Sequence, residues 1–132
     1  MKLLRPGLLS FVLALPIIFG GLWPAEAVRA QSAAFVSVIG DLPLMAGLEE
    51  DSDAAVVFET ASGRIAQAYA SGVLEHRSIR EFYAATLPQL GWHLETLSRY
   101  RREGEVLTLE IQADAGQPGL TVVHFELAPA AP

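Results

Sequence analysis

Between residues 55 and 127 apolar and polar positions alternate in short runs broken by turn residues, and two periods account for most of them. Residues 106–113 give the clearest alternation, with Leu107, Leu109 and Ile111 on one side and Thr108, Glu110 and Gln112 on the other, as a strand with one buried face requires. Val123, Phe125 and Leu127 oppose His124 and Glu126 in the same way over residues 120–127. The β-branched and aromatic run 55–59 ends at Ala61-Ser62-Gly63 and reads as a strand entering a turn. It lies close enough to run 64–70 to form a hairpin, and there Ile65, Gln67 and Tyr69 oppose Ala66, Ala68 and Ala70, a small-residue face that admits a helix at close range. Residues 92–100 supply another strand, and Arg101-Arg102-Glu103-Gly104 supplies the turn after it.

One segment has the helical period instead. Ile79, Phe82, Tyr83, Leu87 and Leu90 share a face, while Arg80, Glu81 and Gln89 lie off it. Ser78-Ile79-Arg80-Glu81 fits a capping box, which predicts a helix starting at Ser78. Pro88 disfavours helix at Leu87, and Gly91 offers a left-handed exit, so the helix loosens at Leu87 and is over by Gly91. The resulting order ββαβββ predicts an α+β fold, with one helix packed on an antiparallel sheet of about five strands.

The first thirty residues follow another pattern. Lys2 and Arg5 precede an almost wholly apolar run, residues 8–19, and a Gly, Pro and Ala region ends in Ala25-Glu26-Ala27 and Val28-Arg29-Ala30, the layout of a secretory signal peptide. Pro16 and Gly20-Gly21 break the apolar run below the roughly 20 residues of a membrane span, so cleavage after Ala30 or Ala27 is expected over a retained anchor. The expected organisation is then a signal peptide at 1–30, an extended arm and acidic loop at 31–54, the α+β domain at 55–128 and a tail at 129–132. In the arm, residues 31–39 read as loosely held, Leu42, Leu44 and Met45 as cover for a sheet edge, and Glu49, Glu50, Asp51 and Asp53 as a solvated loop.

Composition narrows the function classes. The 132 residues carry 9 basic and 15 acidic side chains and no cysteine. Setting aside residues 1–30 removes Lys2, Arg5, Arg29 and Glu26, which leaves six basic and fourteen acidic residues, a net charge of -8 and no lysine. A nucleic acid is thereby disfavoured as partner, and disulfides, thiol catalysis, cysteine-ligated metals, Schiff-base chemistry and P-loop chemistry lose the residues they need. A periplasmic or secreted location is expected, with no stable membrane span after cleavage.

Phe82-Tyr83 followed by Leu87-Pro88-Gln89-Leu90-Gly91-Trp92 resembles a module of small exported or lipid-anchored proteins of Gram-negative bacteria, in which a helix exit leads into a β-meander. Asp41-Leu42-Pro43-Leu44-Met45 and Gly63-Arg64 look like the same group, so the resemblance covers about residues 41–128. It implies a fold and an envelope location, and carries no activity or catalytic residue. A more distant similarity is to the helix-on-sheet domains of outer-membrane assembly lipoproteins, whose lipobox cysteine this chain lacks.

Candidate chemistry is sparse. No G-x-S-x-G or S-x-x-K motif occurs, Ser62-Gly63 and Ser71-Gly72 read as turns, and His76, His93 and His124 stand in no metal-ligand spacing, although His93 and His124 could meet across paired strands. Asp51-Ser52-Asp53 lacks the remainder of a calcium loop, and Glu103 and Glu105 fall on a hairpin tip open to water. No cofactor or metal is expected. The remaining candidates for ligand or partner binding are Arg99, Arg101 and Arg102 around Tyr100, a small cationic patch for an anionic group, against which stands plain ion pairing to Glu95, Glu103 and Glu105. Tyr69 and Tyr83, with Trp92, are candidates to line a cleft between helix and sheet. The sequence therefore points to a non-enzymatic exported accessory or interaction protein of the cell envelope, or alternatively to a binding module for a small apolar or amphipathic ligand. An exposed apolar edge would favour the first, and a continuous cavity between helix and sheet the second. The oligomeric state is open.

Overall fold

The alternation in the last two runs is realised as a long antiparallel pair, β6 (Glu105–Ala113) with β7 (Thr121–Pro129), in which Leu107 faces Leu127 and Leu109 faces Phe125. These and the other coordinates belong to a computed structural model that describes residues 33–131. The expected signal peptide lies outside the described residues.

The inner neighbour of β7 on its other side is β3 (Gly63–Gly72), which sets Ala66, Ala68 and Ala70 opposite Leu127, Phe125 and Val123. Those alanines are buried and leave room above the sheet for the helix. The far edge of β3 is shared by β1 (Glu49–Glu50) and β2 (Val56–Thr60), and beyond β6 lie β5 (Arg99–Arg102) and β4 (His93–Thr96). The fold is α+β, as the patterning predicts, but the antiparallel sheet has seven strands rather than about five, ordered β1-β3-β7-β6-β5-β4 with β2 on β3.

Both extra strands have a physical origin that period alone hides. Residues 92–100 fold back at Leu97 and Ser98, and Leu94 then faces Tyr100, a residue of the same parity, so alternation looks the same whether the run is straight or folded. The strand after this turn continues through Arg101 and Arg102, and reversal falls at Glu103 and Gly104, both at positive φ. Glu49 and Glu50, read as part of a solvated loop, pair with Ser71 and Ala70, followed by the Asp51 amide donating to the Tyr69 carbonyl at 2.9 Å. Ser71 and Gly72 are accordingly strand residues rather than a turn. A Cβ on Gly72 would stand 2.1 Å from the Gly47 carbonyl oxygen, so this strand end is passed by backbone at a distance only glycine allows.

The helix α1 (His76–Thr86) starts two residues before Ser78. Glu75 is the N-cap, extended and without a side-chain cap, and its carbonyl accepts from Ile79 N–H at 3.2 Å. Ser78 lies within the first turn, where tertiary burial of Ile79 and Tyr83 sets the helix position rather than the local capping pattern. The exit runs as expected: a 3-10 turn, Leu87–Leu90, ends at Gly91 with φ 85°, and buried Trp92 returns its amide to the Leu87 carbonyl.

The helix and its exit turn bring Ile79, Tyr83 and Leu87 into one buried cluster with the alanines, with the Tyr83 ring edge-on to Phe125 at 5.6 Å between centroids. The segment expected to be loosely held completes this layer. Val36, Ile39 and Leu42 are all buried, tied by the Val36 amide to the Leu42 carbonyl at 2.9 Å, and the Tyr83 hydroxyl donates to the Pro43 carbonyl at 3.0 Å. Leu42 thus sits in the core, while Leu44 and Met45 pack partly buried against it. Among the described residues no helix lies on the opposite face of the sheet.

Candidate functional site

The six residues singled out from sequence separate onto two faces. On β5, Arg99 and Arg101 point to the open face and Tyr100 and Arg102 to the helix side, as strand alternation requires. Tyr100 is buried in the core, and burial raises its hydroxyl pKa. Arg102 bonds Asp41 Oδ2 at 2.5 Å and the Leu90 carbonyl at 3.1 Å, with its guanidinium carbon 4.2 Å from the Trp92 ring centroid. Arg101 pairs with Glu95 at 2.5 Å. Of the three arginines, Arg99 alone has no ion pair among the described residues, so they do not pool their charge.

Tyr69 does not reach the helix side at all. It lies on the open face, stacked on His124 with centroids 4.4 Å apart and planes 11° from parallel. His124 Nδ1 stands 3.5 Å from Glu110 Oε2, while Nε2 is buried without a partner. A histidine held by a carboxylate is the arrangement of a general base, yet the nitrogen that would act is closed off from solvent and substrate. His93 sits on β4 opposite Arg101, with β5 and β6 between it and His124, so the two do not meet. Among the described residues no group of three His, Asp or Glu side chains is placed to hold a metal ion, and no helix is long and apolar enough to cross a membrane.

Two apolar features of the described residues bear on a contact role. The first is a cleft of about 510 Å³ where Arg80 and Tyr83 of the helix face Leu97, Ser98, Tyr100 and the Leu109-to-Ile111 stretch of β6. Tyr83 is among the residues that line it, whereas Tyr69 and Trp92 are not. It opens at the sheet margin because β5 pairs β6 only as far as Thr108, with the Leu109 amide closing on the Ser98 carbonyl. The interior behind it is filled: Trp92, Tyr83, Phe125, Ile79 and Leu87 are all under 2% exposed.

The second feature is β2. Val56, Val57 and Phe58 are 39, 42 and 53% exposed, although they are consecutive, apolar and within a strand. Among the described residues only one side of β2 is paired, to β3, through Val56 with Gln67 and Phe58 with Ile65. Because Asp51 N–H reaches the Tyr69 carbonyl, the odd residues of β3 direct their peptide groups toward β2 and β1. Val56, Phe58 and Thr60 therefore spend their peptide groups on β3, while those of Val57 and Glu59 face outward from the sheet. An exposed apolar edge with free donors and acceptors is what natural sheets commonly avoid. Sequence reading found the strand but not its place at the margin, since a run of three apolar residues reads as buried; the acids Asp51, Asp53 and Glu59 flanking it are the trace of an edge.

No protein-family model, no curated protein and no solved structure matches this chain.

Proposed function

We propose that this chain is an exported, non-enzymatic interaction protein of the bacterial cell envelope, acting by contact through the free edge of β2. The observation that carries the reading is the Val56-Val57-Phe58 edge, apolar and unpaired on its outer side, beside a filled core. A strand of a protein partner satisfies the outward peptide groups of Val57 and Glu59 and covers the three side chains at once. Export is supported by the layout of residues 1–30.

A photo-cross-linking side chain placed at Val57 or Phe58, in cells that make the protein, tests this. Adducts with protein at these two positions, and none at exposed Gln89 on the far side of the fold, are the expected result. Equal labelling at all three positions, or none at any, removes β2 as the contact. Intact-mass measurement of the exported form should find an N-terminus between Val28 and Ala34; a species beginning at Met1 and held in the membrane refutes export with cleavage.

A second reading is favoured by one observation. In the cleft, Ile111 has its peptide groups directed to the side that β5 leaves empty, and Leu97 at 87% exposure overhangs the same opening beside Arg80. A small amphipathic molecule with an anionic head suits that combination. Its test is Arg80→Glu, which lowers uptake of a fluorescent fatty acid if the cleft is used and leaves it unchanged if not.

A further inference from the structure

The backbone phase of β2 does more than mark a free edge, since it determines which strand fits it. An incoming antiparallel strand must offer outward peptide groups at the same two-residue spacing as Val57 and Glu59. Ala55 has the same phase and is extended, with φ -74° and ψ 131°, so three alternate residues, Ala55, Val57 and Glu59, are available. Centred on Val57, this set is its own complement. Val57 faces Val57 of the other strand, Ala55 faces Glu59, and Glu59 faces Ala55, each a hydrogen-bonded pair exchanging both N–H···O contacts.

The side chains agree with that register. Val56 and Phe58 lie on the open face of the sheet and would stand opposite Phe58 and Val56 of the second strand, two aromatic to β-branched pairs of the kind that stabilise sheets. Glu59 would stand against Ala55, which leaves it room, and the two Glu59 carboxylates would be at opposite ends of the interface. The neighbouring register, centred on Phe58, brings the carboxylates to diagonal positions roughly 7 to 8 Å apart and forms fewer main-chain bonds. Each Glu59 also retains Arg64 of its own subunit as cross-strand neighbour.

We infer that the partner of this edge is the same edge of a second copy, two β2 strands pairing antiparallel about Val57 to join two seven-stranded sheets into one. The two-fold axis is perpendicular to the sheet, so both helices lie on one side and both open faces on the other. This inference rests on the contact reading above and names its partner. The interface is short, below about 1,200 Å² in total, which places it among weak reversible dimers.

Sedimentation of the protein purified from the cells that export it supplies the test, over a concentration series reaching the high micromolar range. Wild type should pass reversibly from monomer to dimer. Val57→Pro removes a donor at the centre of the interface and no donor that β3 uses, and Phe58→Glu puts a charge against Val56; each should weaken association by roughly tenfold or more with an unchanged circular dichroism spectrum. Leu97→Glu, at the other end of the sheet, should leave it unchanged. Since the chain has no cysteine, Val57→Cys adds a second measurement that does not depend on the proline variant folding. Across a hydrogen-bonded pair the Cα atoms are about 5.5 Å apart, within disulfide range, so oxidation should link Val57→Cys chains readily and Ala115→Cys chains poorly. A wild type that stays monomeric throughout, or a dimer indifferent to both β2 variants, overturns the inference. If the monomeric protein still cross-links from Val57 to a different envelope protein, contact through β2 survives and self-pairing does not.

Discussion

A single guanidinium joins three separated parts of the chain: Arg102, on β5, holds Asp41 of the N-terminal segment, the Leu90 carbonyl of the helix exit and the face of Trp92. Sequence reading had grouped it with Arg99 and Arg101, because its partner lies 61 positions away and no local pattern reports such a pair. Arg102→Ala should lower stability by about 1 to 3 kcal/mol, measured by urea denaturation, and Arg102→Lys should restore only part, since an ammonium does not stack on the indole as a planar guanidinium does. Arg99→Ala should be close to neutral. Tyr83 makes a pH-dependent case. Burial raises its hydroxyl pKa far above the ordinary value, and the hydrogen bond with the Met45 amide offsets this only in part. The unfolded chain therefore ionises first. Stability from this group is complete below about pH 10 and is lost as pH rises beyond it toward the folded-state value. Tyr83→Phe should lower stability at neutral pH by about 1 kcal/mol and make the alkaline decline shallower, with Tyr100, whose pKa is raised by burial too, accounting for part of the decline that remains.

Among the elements, the helix start separates local from tertiary control. Ser78 has the right neighbours for a cap but lies inside the first turn, and Glu75, the true N-cap, leaves the first amides without a side-chain acceptor. Glu75→Ser should therefore stabilise by about 0.5 to 2 kcal/mol in thermal or urea unfolding, while Ser78→Ala should change little. The opposite ranking would return the cap to Ser78. What was legible at this scale is what period and punctuation encode: β6 and β7, the buried helix face and the exit through Pro88 and Gly91. What was not legible is pairing. Glu49 and Glu50 are acidic and unlike strand residues, and they form β1 because the edge of β3 beside them has peptide groups to satisfy. Tyr83 borders the helix-side cleft, but Tyr69 has the parity of the open face, and only the direction of the helix could show which face that was. The β2 edge was missed since exposure belongs to the order of strands in the sheet, which no run of residues states.

For the molecule as a whole, the last strand described is an inner strand of the sheet: β7 lies between β3 and β6, paired with β6 along its length and with β3 from Thr121 to Leu127. It also carries Val123, Phe125 and Leu127, the floor on which Tyr83 and the alanine face meet. Deleting residues 121–132 should abolish the cooperative unfolding transition and leave a protease-sensitive chain, whereas a truncated protein that still melted cooperatively would show that the hairpin side of β3 and the β4-to-β6 meander are stable apart. The same placement has a consequence in time. Synthesis proceeds from the N-terminus at about 5 to 20 residues per second, and pairings as distant as Gln67 with Glu126 cannot form until the final segment exists. A nascent chain still short of residues 121–129 lacks the strand that closes the sheet, so it stays slack and threadable up to that point. Under the export proposed above, a sheet that closes only once β7 arrives would be its own safeguard against folding on the wrong side.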